Sequence, residues 1–298
     1  MRFTGIIPAV TTPFTDALEV DTDALATNVE TLIAAGIEGI VVNGTMGEGG
    51  SLDREERRRT IATVVERAAG RIPVTVGVSA GATAIACAYA ADARELGADA
   101  VMCLPPLLYA GDLDEIADFL NAVADAAQLP VMAYNNPPAS GTDLGADEML
   151  ELLSRVDAIA AVKECSGDAR RIAALVAAVG DRVDVLVGGD DWALEGLAAG
   201  AVGWVSGVAV VVPEECVRLV ELVGAGDLAG ARELYLRQLP LARFDMTPKL
   251  VQYFKAAMDE LGTGRGGLSR PPRGPLKEAE QAQLRAALDL LRAAPAVS

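Results

Sequence analysis

The most reactive group that this sequence places in a defined setting is a lysine at the end of an apolar run. In Ile159-Ala-Ala-Val-Lys-Glu-Cys-Ser-Gly167 the run stops on Lys163 and turns at Ser-Gly. Lysine is scarce: Lys163, Lys249, Lys255 and Lys277 are the whole set, and none precedes Lys163. An amine at the end of a buried strand sits in low dielectric, which disfavours the ammonium ion and frees the lone pair. Such an amine can attack a carbonyl and form a Schiff base. The plainer alternative is a lysine whose stem lies along the sheet edge with its charge in water. Two further stretches carry chemistry. Gly44-Thr45-Met46-Gly47 offers backbone N–H groups and a hydroxyl in a flexible loop, either a cradle for a carboxylate or an ordinary tight turn. Tyr134, ahead of Asn-Asn-Pro-Pro138, is either a phenol that shuttles protons or a core tyrosine with a satisfied hydroxyl.

What is missing narrows the chemistry further. The chain has no histidine, which removes Ser-His-Asp triads, Cys-His dyads and histidine-ligated metals. Proton transfer then falls to Tyr, Lys, Asp, Glu or the substrate. Asp190-Asp191 lack a third clustered carboxylate, so they read as a helix N-cap rather than metal ligands. A formal charge of −17 over 298 residues repels nucleic acid and anionic membrane, so neither is expected as a partner. Cys87, Cys103, Cys165 and Cys216 are widely spaced without a CxxC pair, as expected for reduced thiols in a cytoplasmic protein. The N-terminus leads into a strand without a charged n-region and long apolar h-region. The apolar stretch 197–213 is short for a membrane span and is interrupted by glycines, so a soluble protein is expected.

The elements that must position these groups follow a repeating pattern. Short apolar runs occur at 6–10, 39–43, 73–78, 100–104, 130–134, 159–163, 183–188 and 203–206. They lack polar alternation, as strands buried on both faces of a parallel sheet do. Helical patterns lie between them, near 21–35, 53–69, 82–96, 113–127, 146–154, 169–179, 192–199 and 213–223, several closing on Ala-Gly or Leu-Gly. Eight such units predict an α/β fold, a closed (β/α)8 TIM barrel over 1–225. The alternation then stops. Three helices at 227–243, 248–261 and 276–292 predict a C-terminal helical domain over 226–298, with a loop at 262–275 and a frayed tail at 293–298. Barrel sites form at the C-terminal ends of strands, which is where the chemistry-bearing residues fall. A carboxylate held by Thr45, a ketone condensed with Lys163 and protons moved by Tyr134 describe a Schiff-base site for a 2-oxo acid. The protonated imine on Lys163 acts as electron sink, so neither metal nor organic cofactor is expected.

These motifs resemble the dihydrodipicolinate synthase / N-acetylneuraminate lyase superfamily. Gly44-Thr-Met-Gly-Glu48 is similar to its Gly-[Ser/Thr]-Thr-Gly-Glu signature, Tyr134-Asn-Asn-Pro137 to Tyr-Asn-x-Pro, and Val162-Lys-Glu-Cys-Ser-Gly167 to [Ile/Val]-Lys-x-x-[Ser/Thr]-Gly; Gly189-Asp-Asp191 also fits. The resemblance implies Lys163 as Schiff-base lysine, Tyr134 as acid/base, Thr45 with the Met46 N–H as carboxylate binders, and a homotetramer. Gly44, Thr45, Met46, Leu108, Ala139 and Val205 are the expected substrate contacts. Two departures bear on the subgroup. Where dihydrodipicolinate synthases have an arginine that clamps the aldehyde's carboxylate, this chain has Ala139; where they have a relay tyrosine it has Leu108, with Tyr109 one residue late. Met46, Phe244-Asp245 and Pro248-Lys-Leu-Val-Gln-Tyr-Phe-Lys255 resemble 1-pyrroline-4-hydroxy-2-carboxylate deaminases, and Pro138-Ala-Ser-Gly141 resembles sugar-acid dehydratases. The expected function is a Schiff-base lyase on a 2-oxo acid or cyclic imine carboxylate, a deaminase/dehydratase or aldolase. The alternatives are synthase action on pyruvate and aspartate semialdehyde, and a barrel that binds a 2-oxo acid without turning it over.

Overall fold

The computed structural model describes residues 2–293; all of the expected frayed tail except Ala293, which ends the last helix, lies outside the described residues. Eight strands form one sheet: β1 (Gly5–Pro8), β2 (Ile40–Val42), β3 (Val74–Gly77), β4 (Ala100–Cys103), β5 (Val131–Asn135), β6 (Ile159–Glu164), β7 (Asp184–Val187) and β8 (Gly203–Ser206). All neighbours are parallel, in the order β1-β8-β7-β6-β5-β4-β3-β2. The Ala9–Val41 bridge, with Val10 N–H donating to the Val41 carbonyl at 2.9 Å, joins the two ends and closes the barrel. Every strand residue but Ala160 is buried. Both faces are covered, one by the barrel interior and one by helices, so the runs carry no polar alternation.

The surrounding helices are α1 (Thr22–Ala34), α2 (Arg54–Ala68), α3 (Thr83–Glu95), α4 (Leu113–Ala127), α5 (Pro137–Ser140), α6 (Ala146–Arg155), α7 (Ala169–Val179), α8 (Ala193–Ala198) and α9 (Pro213–Gly224). Local chemistry sets several starts. Asp53 accepts from Glu56 N–H while Glu56 reaches back to the Asp53 N–H, and Asp112 and Glu115 repeat the same reciprocal cap. Asn136 caps the single turn α5 by accepting from Ala139 N–H, with Pro137 at its first position.

Beyond the barrel come α10 (Leu228–Ala242), a 3-10 turn at Arg243–Met246, α11 (Leu250–Leu261) and α12 (Glu278–Ala293). The middle helix starts two residues later than Pro248, because the turn and Thr247 break the helical path first. Among the described residues, no helix is long and apolar enough to cross a membrane, and no group of three or more Cys, Asp or Glu side chains is placed to hold a metal. The cysteines are free, three of them buried.

Candidate active site

Strand register brings Lys163 and Tyr134 together. They are direct partners across β5 and β6, so both side chains project from the same face. The Lys163 Nζ lies 4.2 Å from the centroid of the Tyr134 ring. The next residue, Glu164, points the other way. It is wholly buried and accepts from Asn135 Nδ2 at 3.0 Å and from Ser166 N–H at 2.6 Å, which fixes the strand end carrying the lysine. Gly188 gives Lys163 its room: a Cβ there would stand 2.7 Å from Lys163 Cε and 2.3 Å from Cys165 Sγ.

The loop after β2 is locked from several sides. Glu48 N–H donates to the Thr45 carbonyl at 3.1 Å and Gly49 N–H to the Gly44 carbonyl at 3.2 Å. Thr12 Oγ1 donates to the Gly47 carbonyl at 2.7 Å. The buried Arg57 guanidinium donates to the carbonyls of Gly49 and Gly77. Asn43 and Glu48 both take positive φ, 59° and 52°, a conformation that the surrounding bonds must hold for a residue with a side chain. The loop thus presents Thr45 at the surface while Met46 is buried beside it.

These groups line one cavity of about 370 Å³ at the C-terminal ends of the strands. Its walls include Gly44, Thr45, Met46, Tyr134, Asn136, Ala139, Lys163 and Cys165, closed over by Asp245 and Met246 from the C-terminal extension. Among the described residues that line it, only Lys163 and Asp245 bring charge and none is an arginine. A larger groove of about 630 Å³ between α1 and the 262–265 loop has neither lysine nor tyrosine in its walls.

The cavity's electrostatics pull the Lys163 amine in two directions. Burial works against the Lys163 ammonium, but Tyr134, Cys165 and Asp245 act the other way, and the pKa lies above the ordinary lysine value. Burial pushes the Tyr134 phenol up despite its nearby amine and the 2.7 Å hydrogen bond donated by Asn136 Nδ2. The Cys165 thiol is pushed up to about 12, chiefly by burial. Burial also raises Asp245 to about 6, against the pull of Lys163.

Of the residues that the sequence singled out, Gly44, Thr45, Met46, Tyr134, Ala139 and Lys163 meet at this cavity; Leu108 and Val205 do not. Leu108 sits at φ 66° with its side chain fully exposed, turned away from the barrel. Val205 is wholly buried. It lies within β8, below the mouth, and Gly207, just past the end of that strand, lines the wall instead. Tyr109 also points outward, its hydroxyl 2.9 Å from the Glu115 carboxylate. Asp190 is not a helix N-cap. Its buried carboxylate accepts from Trp204 Nε1, Ser206 Oγ and the Gly207 and Val208 N–H groups, at 2.6–3.2 Å, so it ties the loop after β7 to the loop after β8. Asp245, Asn136 and Cys165 also line the cavity. The sequence carries each inside a motif, Phe244-Asp245, Tyr134–Pro137 and Val162–Gly167, but nothing in those motifs alone assigns them a place in the wall.

Comparison with known proteins matches this geometry to one family. Residues 2–291 match the dihydrodipicolinate synthetase family. A 4-hydroxy-tetrahydrodipicolinate synthase of Methanopyrus kandleri is 35% identical over 278 residues, 93% of this chain and 91% of the relative. One from Thermomicrobium roseum is 37% identical over 284 residues, covering 95% and 93%. The solved structure of the Methylacidiphilum fumariolicum enzyme of that name superposes with a TM-score of 0.92 at 29% identity, covering 98% of this chain and 96% of the other. Agreement over so much of both chains, in sequence and in backbone, shows that this chain belongs to the dihydrodipicolinate synthetase family and, as a member, is a lyase of the class I aldolase type.

Proposed function

We propose that the protein forms a Schiff base between Lys163 and a 2-oxo acid or a cyclic imine carboxylate, and acts as a deaminase/dehydratase or aldolase. The observation that carries this reading is the pairing of Lys163 with Tyr134 in a cavity with no arginine among the described residues that line it. In this reading the Thr45 hydroxyl and the Met46 N–H hold the substrate carboxylate, with Gly44 allowing its close approach. Lys163 attacks the adjacent C2, and the Tyr134 phenol hands protons between the departing oxygen or nitrogen and the substrate. The protonated imine on Lys163 takes the place of a metal or organic cofactor as electron sink. Ala139 supports a distal pocket for a substrate without a second carboxylate, since an anion buried there would lack a charged partner.

The relatives' shared name favours a second reading, synthesis from pyruvate and aspartate semialdehyde. A homotetramer is part of the proposal: Leu108 is fully exposed and Tyr109 more than half exposed in the single chain, apolar surface that a partner subunit would cover. Light scattering reads that state.

Borohydride reduction in the presence of pyruvate, followed by intact mass, tests the imine, with Lys163→Ala as the control that must show no adduct. A panel of pyrroline hydroxycarboxylate, 2-keto-3-deoxy sugar acids, sialic acid, and pyruvate with aspartate semialdehyde tests the subgroup. Best turnover of the last pair would overturn the deaminase/dehydratase reading. A trapped adduct without turnover of any panel member would favour a binding barrel.

A further inference from the structure

An ammonium ion cannot attack a carbonyl, and a lysine is an ammonium ion near neutrality. Lys163 opens on a cavity, so the first event at the site is loss of its proton to a neighbour in that wall. Tyr134 and Cys165 stand closest in kind, but burial keeps both protonated near neutrality, and a neutral phenol or thiol is a poor acceptor. One carboxylate lines the cavity. Asp245 reaches it from the 3-10 turn Arg243–Met246.

Its position is built. Asp245 Oδ2 accepts from the Asp190 N–H at 3.2 Å, which anchors the carboxylate to the loop after β7. Gly207 leaves space for Oδ1, since a Cβ there would stand 3.2 Å from it. Phe244, the preceding residue, stacks on Tyr253 of α11 with centroids 3.9 Å apart and fixes the turn. Lys163, Cys165 and Tyr134 line the same cavity as Asp245, and these groups together with Asp190 and Asp191 after β7 are the titratable groups whose charge reaches it or that its own charge reaches. Tyr235 of α10 bonds the Asp190 carbonyl behind it at 3.3 Å.

We propose that Asp245 is a second catalytic acid–base of this site, accepting the Lys163 proton as the imine forms and later moving the substrate's C3 proton to a leaving group on C4. The proposal rests on the Lys163 imine. In the first half, the Asp245 carboxylate takes a proton from the Lys163 ammonium, and the amine adds to C2. The protonated carboxyl then returns that proton, relayed by the neutral Tyr134 phenol, to the carbinolamine hydroxyl, which leaves as water and gives the iminium ion. In the second half, the carboxylate removes a C3 proton to give the enamine. The enamine electron pair expels the C4 hydroxyl, which departs as water with the proton from Asp245. The carboxylate is regenerated each time, and no outside oxidant or base is consumed. The preferred substrates are therefore 2-oxo acids, or their cyclic imines, with a hydroxyl at C4 and no anion beyond it.

Pyruvate tests the assignment without the native substrate, because its iminium and enamine exchange the methyl protons with deuterium oxide, as proton NMR reads. From about pH 5 to 8, wild-type exchange should rise with an acid limb centred near 6, where Asp245 ionises. Asp245→Asn should slow exchange by about 100-fold or more, the low end of general acid–base contributions, and lose that limb. Its reduced adduct on Lys163 should still form on long incubation. Asp245→Glu, which keeps the carboxylate, should recover part of the rate and the limb. Wild-type exchange rate and limb in Asp245→Asn, with the adduct present in both, would overturn the Asp245 assignment alone. No adduct in the wild type would overturn the imine reading with it.

Discussion

Two lysines of this chain are buried to nearly the same degree, and they are put to opposite ends. Lys255, on α11, is 1% exposed and Lys163, on β6, is 6% exposed. The Lys255 Nζ donates to Glu48 Oε1 at 2.7 Å and to the Leu268 carbonyl at 2.6 Å, and lies 4.5 Å from the Phe14 ring centroid. Glu48 is wholly buried, and its other oxygen accepts from the Arg270 N–H at 3.0 Å. That amine has its partners and no space for a substrate. Lys163 instead faces an aromatic ring, makes no ion pair among the described residues, and opens on a cavity. The pKa directions are also opposed. Burial lowers Lys255 despite Glu48, whereas at Lys163 the surrounding groups outweigh burial and raise it. Burial alone therefore does not make a nucleophile. The useful distinction is whether the acceptors around the amine fill its coordination sphere permanently or stand where a substrate can displace them.

The sharpest way to break the comparison is to remove each amine. Lys163→Ala should abolish the borohydride adduct and cut turnover by on the order of 10⁴-fold or more, as loss of a nucleophile does, while melting shows little loss of stability. Lys255→Met should do the reverse. Leaving the buried Glu48 carboxylate with only the Arg270 N–H and the more distant Arg273 guanidinium, 3.8 Å away, should cost up to about 3–5 kcal/mol, seen in denaturant unfolding, with adduct formation retained in the molecules that stay folded. Adding Glu48→Gln should restore much of that stability, because the uncompensated charge goes with it. If the two single variants lost stability equally, the contrast drawn between the lysines would be wrong.

Smaller effects sharpen the picture around Lys163. Tyr134→Phe should slow turnover by about 10²-fold with little change in KM, if the phenol acts on protons rather than on binding. Asp245 gives a stability signature of the opposite sign. Its folded pKa, about 6, lies above the ordinary 3.8, so folding favours the protonated form. The stability this contributes is fully present below about pH 4 and is lost as pH rises through 6. Asp245→Asn should therefore melt higher than the wild type at pH 8, by about 2–4 °C for each kcal/mol relieved, and the difference should vanish by about pH 4.

The barrel was legible because apolar runs and helical patterns alternate without interruption, and a parallel sheet covered on both faces needs such runs. Once eight strands are counted, their ends place Gly44, Thr45, Met46, Tyr134 and Lys163 around one mouth. Finer placement depends on quantities that no spacing carries. Leu108 leaves the site through a single positive φ, 66°. Val205 lies within β8, below the strand end at Ser206, whereas the cavity is lined from just beyond that end. Asp190 serves as a tie between loops since four donors from the β8 region converge on it, a long-range pairing that its local sequence, well suited to a helix cap, does not announce. Asp245 stands in the Phe244-Asp245 motif, but its place in the site is not legible there. The turn that carries it reaches the cavity only through the docking of the C-terminal helices, and its shifted pKa is a product of that enclosure.

The most direct test of the distinction between the two amines is peptide mapping after borohydride reduction with pyruvate. The adduct should fall on the peptide containing Lys163 and nowhere else, with Lys255 unmodified in the folded protein. An adduct on Lys255, or no adduct on Lys163 under conditions that trap a known class I aldolase, would contradict the account.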